Sequence, residues 1–104
     1  NVILIDDLVN KSKYSYNETQ LKIMANCTKF ITVCGGNSIL SSLFGGTVIS
    51  YIHKGKELRP NYFGPNSYFR KLSNANVIPV IDNSVVKTGV HDYSELMNQI
   101  KIQF

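Results

Sequence analysis

Short apolar runs alternate along this chain with segments whose apolar residues recur at helical spacing. The apolar runs are rich in β-branched residues and predict four strands, at residues 2–5, 30–34, 47–52 and 77–81. Helical spacing of apolar residues predicts four helices, at residues 18–27, 38–44, 65–75 and 91–104. The predicted order therefore alternates strand and helix from the first element to the last.

Each predicted helix has an apolar stripe that we expect to face a core. The stripes are Leu21, Met24 and Ala25 in the first helix, Ile39, Leu40, Leu43 and Phe44 in the second, Tyr68, Phe69 and Leu72 in the third, and Leu96, Met97 and Ile100 in the last. The expected caps are Ser15 or Asn17 at the start of the first helix, Ser67 at the start of the third, and Gly45 with Gly46 at the end of the second.

Strands that are apolar throughout, alternating with helices, are typical of a parallel sheet that is covered on both faces. The sequence thus predicts an α/β fold, a Rossmann-like half-domain with a parallel sheet of about four strands and helices on both faces. Pro79 lies within the last strand and indicates an edge position. At 104 residues, the chain is long enough for a single domain, residues 1–104. Because it enters an apolar run at once and begins with Asn1 rather than Met, we expect it to be the C-terminal part of a larger protein.

The formal net charge is +4, and the basic residues are scattered except in one segment, where Lys54, Lys56 and Arg59 follow the third predicted strand. Such a segment favours anionic ligands, although a solvated loop is the plainer interpretation. No nucleic-acid motif and no apolar run long enough to span a membrane occurs, so neither partner is predicted.

Cys27 and Cys34 have no metal-ligand spacing, so we predict no metal site. We interpret both cysteines as small buried apolar side chains that stay reduced, which favours a cytoplasmic location.

The most distinctive stretch is CGGNS at residues 34–38, where the second predicted strand gives way to a helix. Glycines allow a sharp turn and a close approach of a ligand to the backbone. The N–H groups at a helix start favour an anion such as phosphate, which the side chains of Asn37 and Ser38 could also contact. A capped Gly-Gly turn with no ligand is an equally good interpretation of the spacing alone. The stretch is neither a dinucleotide fingerprint nor a P-loop.

Residues 30–52, most specifically CGGNSILSSLFGGTVISY, resemble the donor-binding C-terminal half of GT-B glycosyltransferases and the related UDP-GlcNAc 2-epimerases. The resemblance implies that Gly35, Gly36, Asn37 and Ser38 contact the diphosphate of a nucleotide sugar. Many of those proteins have a glutamate in the following helix that grips the ribose, and residues 39–44 contain none. The implied function is a glycosyltransferase donor-binding domain, with an upstream domain of the same chain supplying acceptor and base. Because the basic loop leaves the neighbouring strand at the same sheet end, we expect at least one of Lys54, Lys56 and Arg59 to reach the diphosphate. The nucleotide, the sugar and the catalytic residues remain unassigned.

The alternative function is a non-enzymatic interaction module, with a purely structural Gly-Gly turn and a basic loop that contacts a protein.

Other residues are weaker candidates for a functional site. Glu57 lies in the basic loop, Asp6 and Asp7 end the first predicted strand, and His53 and His91 have no partner at motif spacing. The aromatic segment NYFGPNSYF, residues 61–69, is expected to fold down on the sheet, and stacking on a nucleotide base is its sharper interpretation.

Overall fold

A computed structural model describes residues 3–11, 13–33, 35–59, 62–71 and 73–104, with the side chain of residue 37 outside that description. The elements in chain order are α1 (Ile5–Lys11), α2 (Tyr16–Ala25), β1 (Lys29–Val33), α3 (Gly36–Ser42), β2 (Thr47–Ile52), a 3₁₀ turn (Lys56–Leu58), α4 (Tyr68–Lys71), β3 (Asn76–Ile81), α5 (Ser84–Thr88) and α6 (Ser94–Gln103). None of the helices in these ranges is long and apolar enough to cross a membrane.

The described strands form a parallel sheet of three, in the order β1-β2-β3. Three of the four predicted strands are therefore confirmed, and so is their parallel arrangement. The central strand β2 is buried along most of its length, with Val48, Ile49 and Ile52 fully buried. Pro79 of β3 pairs with Ser50 of β2. As the proline indicated, β3 is an edge strand of this sheet.

The predicted first strand is wrong over its described residues. Ile3 and Leu4 belong to no regular element, and Ile5 is the first residue of α1. Two features of the sequence favour the helix. Asp6 and Asp7 lie in the first turn, where acidic side chains interact favourably with the helix dipole. The apolar residues Ile5, Leu8 and Val9 are also at helical spacing, and this pattern overlaps the short apolar run that predicted a strand. The remaining residue of that prediction, Val2, lies outside the described residues.

The prediction that β1 is fully buried is also wrong. Its burial alternates along the strand, and Ile31 and Val33 are 51% and 56% exposed. These two side chains share a sheet face with Ile49 and Tyr51, to which they are paired in register. The predicted strand end at Cys34 falls outside the described residues.

Helices cover the two faces of the sheet, as predicted. On one face Phe69 of α4 forms a core cluster with Val48 and Val77, and the aromatic segment packs against it through Tyr62, Phe63 and Tyr68. This confirms that the segment folds down on the sheet. On the other face, Leu96 and Ile100 of α6 pack against Ile49, Tyr51 and Val80. Met97, placed in the same predicted stripe, is 51% exposed instead.

Helix α3 approaches the sheet with its serines, not with the predicted apolar residues. Ser38, Ser41 and Ser42 are buried, whereas Ile39 and Leu43 are 37% and 49% exposed. The predicted inward stripe of α3 is therefore wrong at its exposed members. Small side chains permit a seven-residue helix to lie close to the strands, and the Ser38 hydroxyl is satisfied there by neighbouring groups.

The structure confirms only some of the predicted helix caps. Ser15 caps α2, since its hydroxyl accepts a hydrogen bond from the Glu18 N–H at 3.3 Å. Ser67 precedes α4, but its Oγ is buried without a hydrogen-bond partner among the described residues, so the predicted side-chain cap is not formed there. The predicted C-cap at Gly45 and Gly46 is wrong, because α3 ends at Ser42 with Leu43 as its C-cap; the two glycines follow with positive φ and turn the chain into β2.

Candidate functional site

The Gly-Gly turn lies at the carboxyl end of β1, where the sheet passes into α3. Gly35 has φ 129° and ψ −158°, a conformation that side chains disfavour, and α3 begins at Gly36. A Cβ atom built at Gly35 or Gly36 would meet no atom within 4 Å among the described residues. The turn is therefore open on its outer side, and a ligand could approach its backbone closely.

Fewer backbone N–H groups are available at this turn than the sequence suggested. The first residues of a helix, here 36 to 39, ordinarily leave their backbone N–H groups unpaired. Instead, the Ser38 and Ile39 N–H groups donate to the Gly35 carbonyl, at 3.1 and 3.5 Å. The N–H groups of Gly36 and Asn37 precede this first helical bond and have no partner inside the helix. Those two donors are what the turn can offer an anion.

The Ser38 hydroxyl lies beneath α3 in a buried network of hydroxyl groups. Its Oγ is 2.7 Å from Thr32 Oγ1 and 2.8 Å from Ser50 Oγ, and it donates to the Val33 carbonyl at 3.0 Å. Because each hydroxyl has one proton, Thr32 and Ser50 must both donate to Ser38. This network ties the start of α3 to β1 and β2, so the Ser38 side chain has a structural role whether or not it contacts a ligand. Its contact with a diphosphate stays a prediction.

The other predicted site residues reach the same edge of the sheet by topology. Lys54, Lys56 and Arg59 are exposed and follow β2, whose carboxyl end lies beside that of β1. The Asn37 side chain, also predicted to contact the diphosphate, lies outside the described residues. Because ligands of parallel α/β sheets bind beyond the carboxyl ends of the strands, the turn and the basic loop occupy the expected side.

A cavity of about 320 Å³ lies between α3 and the aromatic segment. Its lining combines aromatic rings with polar side chains: Ile39, Tyr62, Asn66, Ser67, Tyr68 and Phe69. Ser67 Oγ, which does not cap α4, is buried here with no hydrogen-bond partner in the part of the chain that the structure describes. Since Ile39 is three residues after Gly36, the cavity adjoins the helix that starts at the Gly-Gly turn.

A second polar cluster, centred on Asp82, follows the carboxyl ends of β2 and β3 on the α6 side. The Asp82 carboxylate accepts hydrogen bonds from Tyr51 Oη at 2.5 Å, Ser84 Oγ at 2.5 Å, Ser84 N–H at 2.9 Å and Asp92 N–H at 2.8 Å. Together these bonds hold the pKa of Asp82 well below its usual range, the Ser84 hydroxyl contributing most. Burial, together with the bond to Asp82, raises the pKa of the Tyr51 phenol well above its usual value. Both groups therefore keep their ordinary charge at neutral pH.

This arrangement selects one tautomer of a neutral His91 ring. Tyr51 Oη is 2.8 Å from His91 Nδ1, and the phenol proton already lies in the bond to Asp82. Tyr51 can then only accept, so His91 Nδ1 carries a proton, and in the neutral ring Nε2 is the acceptor nitrogen. The His53 and His91 rings, which spacing left unpartnered, meet edge to face with centroids 4.9 Å apart. Within the described ranges, His53 Nδ1 is buried without a hydrogen-bond partner.

Sequence reasoning missed this cluster, although part of its signal was present. Asp82 directly follows β3, and on the neighbouring strand β2 Tyr51 is the penultimate residue and His53 the first residue after the end, so parallel pairing of β2 with β3 places them at one edge. His91 could not have been placed, because it returns to that edge only after α5. Asp6, Asp7 and Glu57 were weaker candidates, and the structure puts the two aspartates on α1 and Glu57 in the 3₁₀ turn.

No group of three or more His, Cys, Asp or Glu side chains within the described ranges is arranged to hold a metal ion. Comparison of the chain with protein-family models, with curated proteins and with solved structures gives no match.

Proposed function

We propose that this chain is the donor-binding domain of a GT-B-type glycosyltransferase and holds the diphosphate of a nucleotide sugar at the Gly35–Gly36 turn. The observation that carries the proposal is an open glycine turn at the carboxyl end of a parallel strand, leading directly into a helix. The N–H groups of Gly36 and Asn37, which have no partner within the helix, would donate to phosphate oxygens. A helix this short offers them little dipole support, so the site needs a cation as well.

The basic loop is the source of that cation in the proposal. Lys54, Lys56 and Arg59 are exposed on the loop that leaves β2 at the same sheet edge. One of them would neutralise charge on the diphosphate as it leaves the sugar, which is where electrostatic stabilisation accelerates the transfer. The acceptor and its base would come from an upstream domain of the same protein.

Gly36→Val tests the diphosphate site with little risk to the fold. The added side chain projects into open space, and Gly36 does not have a positive φ. It should crowd the phosphate and weaken nucleoside diphosphate binding roughly tenfold or more, because hydrogen bonds to a charged group are worth about 1.5–3 kcal/mol. Asn17→Val, an exposed change in the first turn of α2, is the matched control. Calorimetric titration in which Gly36→Val binds as tightly as the control would refute the site.

The alternative, a non-enzymatic interaction module, is favoured by one observation, the exposed Ile31 and Val33 on β1. Apolar side chains side by side on a strand suit contact with another protein surface. The same titration separates the two functions. A module with a purely structural turn binds none of the nucleoside diphosphates, and Gly36→Val then changes nothing.

A further inference from the structure

We infer that the cavity between α1 and α2 binds a fatty acid, with the alkyl chain inside the cavity and the carboxylate beside Lys22. The cavity has a volume of about 450 Å³, which lies within the range of small-molecule pockets. Its walls are mainly apolar and include Leu8 of α1, Tyr14 of the connecting segment and Ile23 of α2. A mainly apolar lining with a few polar groups is typical of such pockets.

The two helices leave this apolar volume unfilled. Helix α1 packs against α2, yet none of its residues is buried, and Leu8 is only partly covered. The lining of an unfilled apolar cavity lacks van der Waals partners, and such cavities bind apolar molecules. A flexible alkyl chain can follow a space between two helices, and each methylene group that leaves water raises the affinity up to about fourfold.

The mouth of the cavity is positively charged. The Lys22 ammonium lies 4.4 Å from the centroid of the Tyr14 ring, and the Lys13 ammonium lies 5.7 Å from the same centroid. Lys22 lines the cavity and is exposed, so its stem covers apolar surface while its ammonium reaches solvent. Glu18, one helical turn before Lys22, accepts a hydrogen bond from Ser15 Oγ at 3.4 Å and is not part of the lining. A negatively charged head group therefore fits this mouth best.

Thr19 provides a second polar group on the wall. It is 7% exposed and lies three residues before Lys22, one helical turn along α2. Its Oγ1 is buried and has no hydrogen-bond partner among the described residues. A buried hydroxyl without a partner lowers stability, and a ligand carboxylate supplies an acceptor for it. We therefore place the carboxylate between Lys22 and Thr19.

The cavity and the Gly35–Gly36 turn lie at opposite ends of β1. Cys27 lines the cavity two residues before β1 begins at Lys29, whereas the turn follows the carboxyl end of the strand. A strand of five residues separates its two ends by roughly 17 Å. The fatty acid and a diphosphate can therefore bind at the same time, and neither site depends on the other.

Calorimetric titration of the whole chain with octanoate and decanoate, each below its micelle concentration, tests the inference. The affinity should rise roughly tenfold from octanoate to decanoate, because two more methylene groups leave water. Decylammonium has the same chain as decanoate and the opposite charge, and it should bind roughly tenfold or more weakly. Affinity that does not depend on chain length, or equal affinity for the two charges, would overturn the inference.

Two variants test the placement of the carboxylate. Lys22→Met keeps an unbranched apolar stem and removes the charge, and it should weaken decanoate binding about tenfold. Thr19→Val keeps the shape of the side chain and removes the hydroxyl, and it should weaken binding about 3- to 10-fold. Lys101→Met is the matched control, because Lys101 is exposed on α6, which packs against β2 and β3, and it should leave the affinity unchanged. Affinities of both variants equal to that of the control would overturn the inference.

Alkylation of Cys27 gives a readout that needs no variant. Cys27 is a free, partly exposed thiol on the wall of the cavity. Decanoate at about ten times its dissociation constant should slow the reaction of Cys27 with iodoacetamide about tenfold, because only the free protein reacts. Mass spectrometry of the Cys27 peptide measures this rate, and an unchanged rate would contradict the inference.

Pyrophosphate separates the fatty-acid site from the proposed diphosphate site. It should neither displace decanoate nor protect Cys27, and displacement would overturn the location of the fatty acid. Decanoate binding in a chain that binds no pyrophosphate would refute the proposed diphosphate site and support the fatty-acid site. Pyrophosphate binding without decanoate binding would do the reverse.

Discussion

Removal of a single phenol oxygen by Tyr51→Phe should destabilise the protein markedly. Tyr51 is 3% exposed, and its Oη is the link between the Asp82 carboxylate and His91. Phenylalanine retains the ring and therefore the packing against Ile49 and Val80. What is lost is a short hydrogen bond to a buried charged group, worth about 1.5–3 kcal/mol.

The loss is not larger, because the Asp82 carboxylate keeps its bonds from Ser84 and Asp92. The exposed His91 can replace its own bond with water, so it adds little. We therefore expect urea denaturation to show a decrease of about 2 kcal/mol in the free energy of unfolding. In a chain of this length, that decrease lowers the melting temperature by roughly 10 °C.

Tyr16→Phe makes the same chemical change at a side chain that is 46% exposed, and it should alter stability by less than about 0.5 kcal/mol. Nitrogen-15 NMR of His91 gives a second reading: Nδ1 should be protonated in the wild type, and this preference should weaken in Tyr51→Phe. Equal stability of the two variants, with an unchanged His91 tautomer, would show that the Asp82–Tyr51–His91 chain of hydrogen bonds is absent.

Two further predictions concern a glycine and a carboxylate. Gly46→Ala should destabilise the protein by several kcal/mol, because the added Cβ would lie 2.2 Å from the Thr28 carbonyl oxygen. Gly45 also has a positive φ but faces open space, so Gly45→Ala should lower the free energy of unfolding by only about 1–2 kcal/mol. Equal losses for the two variants in thermal unfolding would contradict the close approach of Gly46 to Thr28. Asp82 has a lowered pKa in the folded protein, so it stabilises the fold above the unfolded-state pKa and loses that contribution as pH falls below about 4. The difference in unfolding free energy between wild type and Asp82→Asn should therefore be constant from pH 5 to 7 and shrink in acid; a constant difference down to pH 2 would be inconsistent with it.

The sequence predicted the parts of this fold that depend on local patterns. The strands β2 and β3 are long, apolar and bounded by turn residues, and the structure places both where the pattern did. The error at residues 3–5 arose because a short apolar run fits a strand and a helix equally well. The serine face of α3 was missed because hydrophobicity alone does not reveal small polar residues that satisfy one another beneath a helix.

The candidate sites divide in the same way. Gly35 and Gly36 could be selected from the sequence, because their chemistry depends on residues adjacent in the chain. The contact of Tyr51 with His91 joins residues 40 positions apart, and the unpartnered Ser67 hydroxyl depends on how the aromatic segment packs. Neither feature has a local pattern, so only the folded arrangement reveals it.

Amide NMR during titration with a nucleoside diphosphate tests the diphosphate site most directly, because it observes the proposed donors themselves. The account predicts that the N–H signals of Gly36 and Asn37 shift most strongly and to lower field, as charge-assisted hydrogen bonds form. Pyrophosphate should shift the same two signals, and Gly36→Val should suppress the response to both ligands. Shifts that centre on the Asp82 cluster, or saturating binding that leaves Gly36 and Asn37 unmoved, would contradict the account.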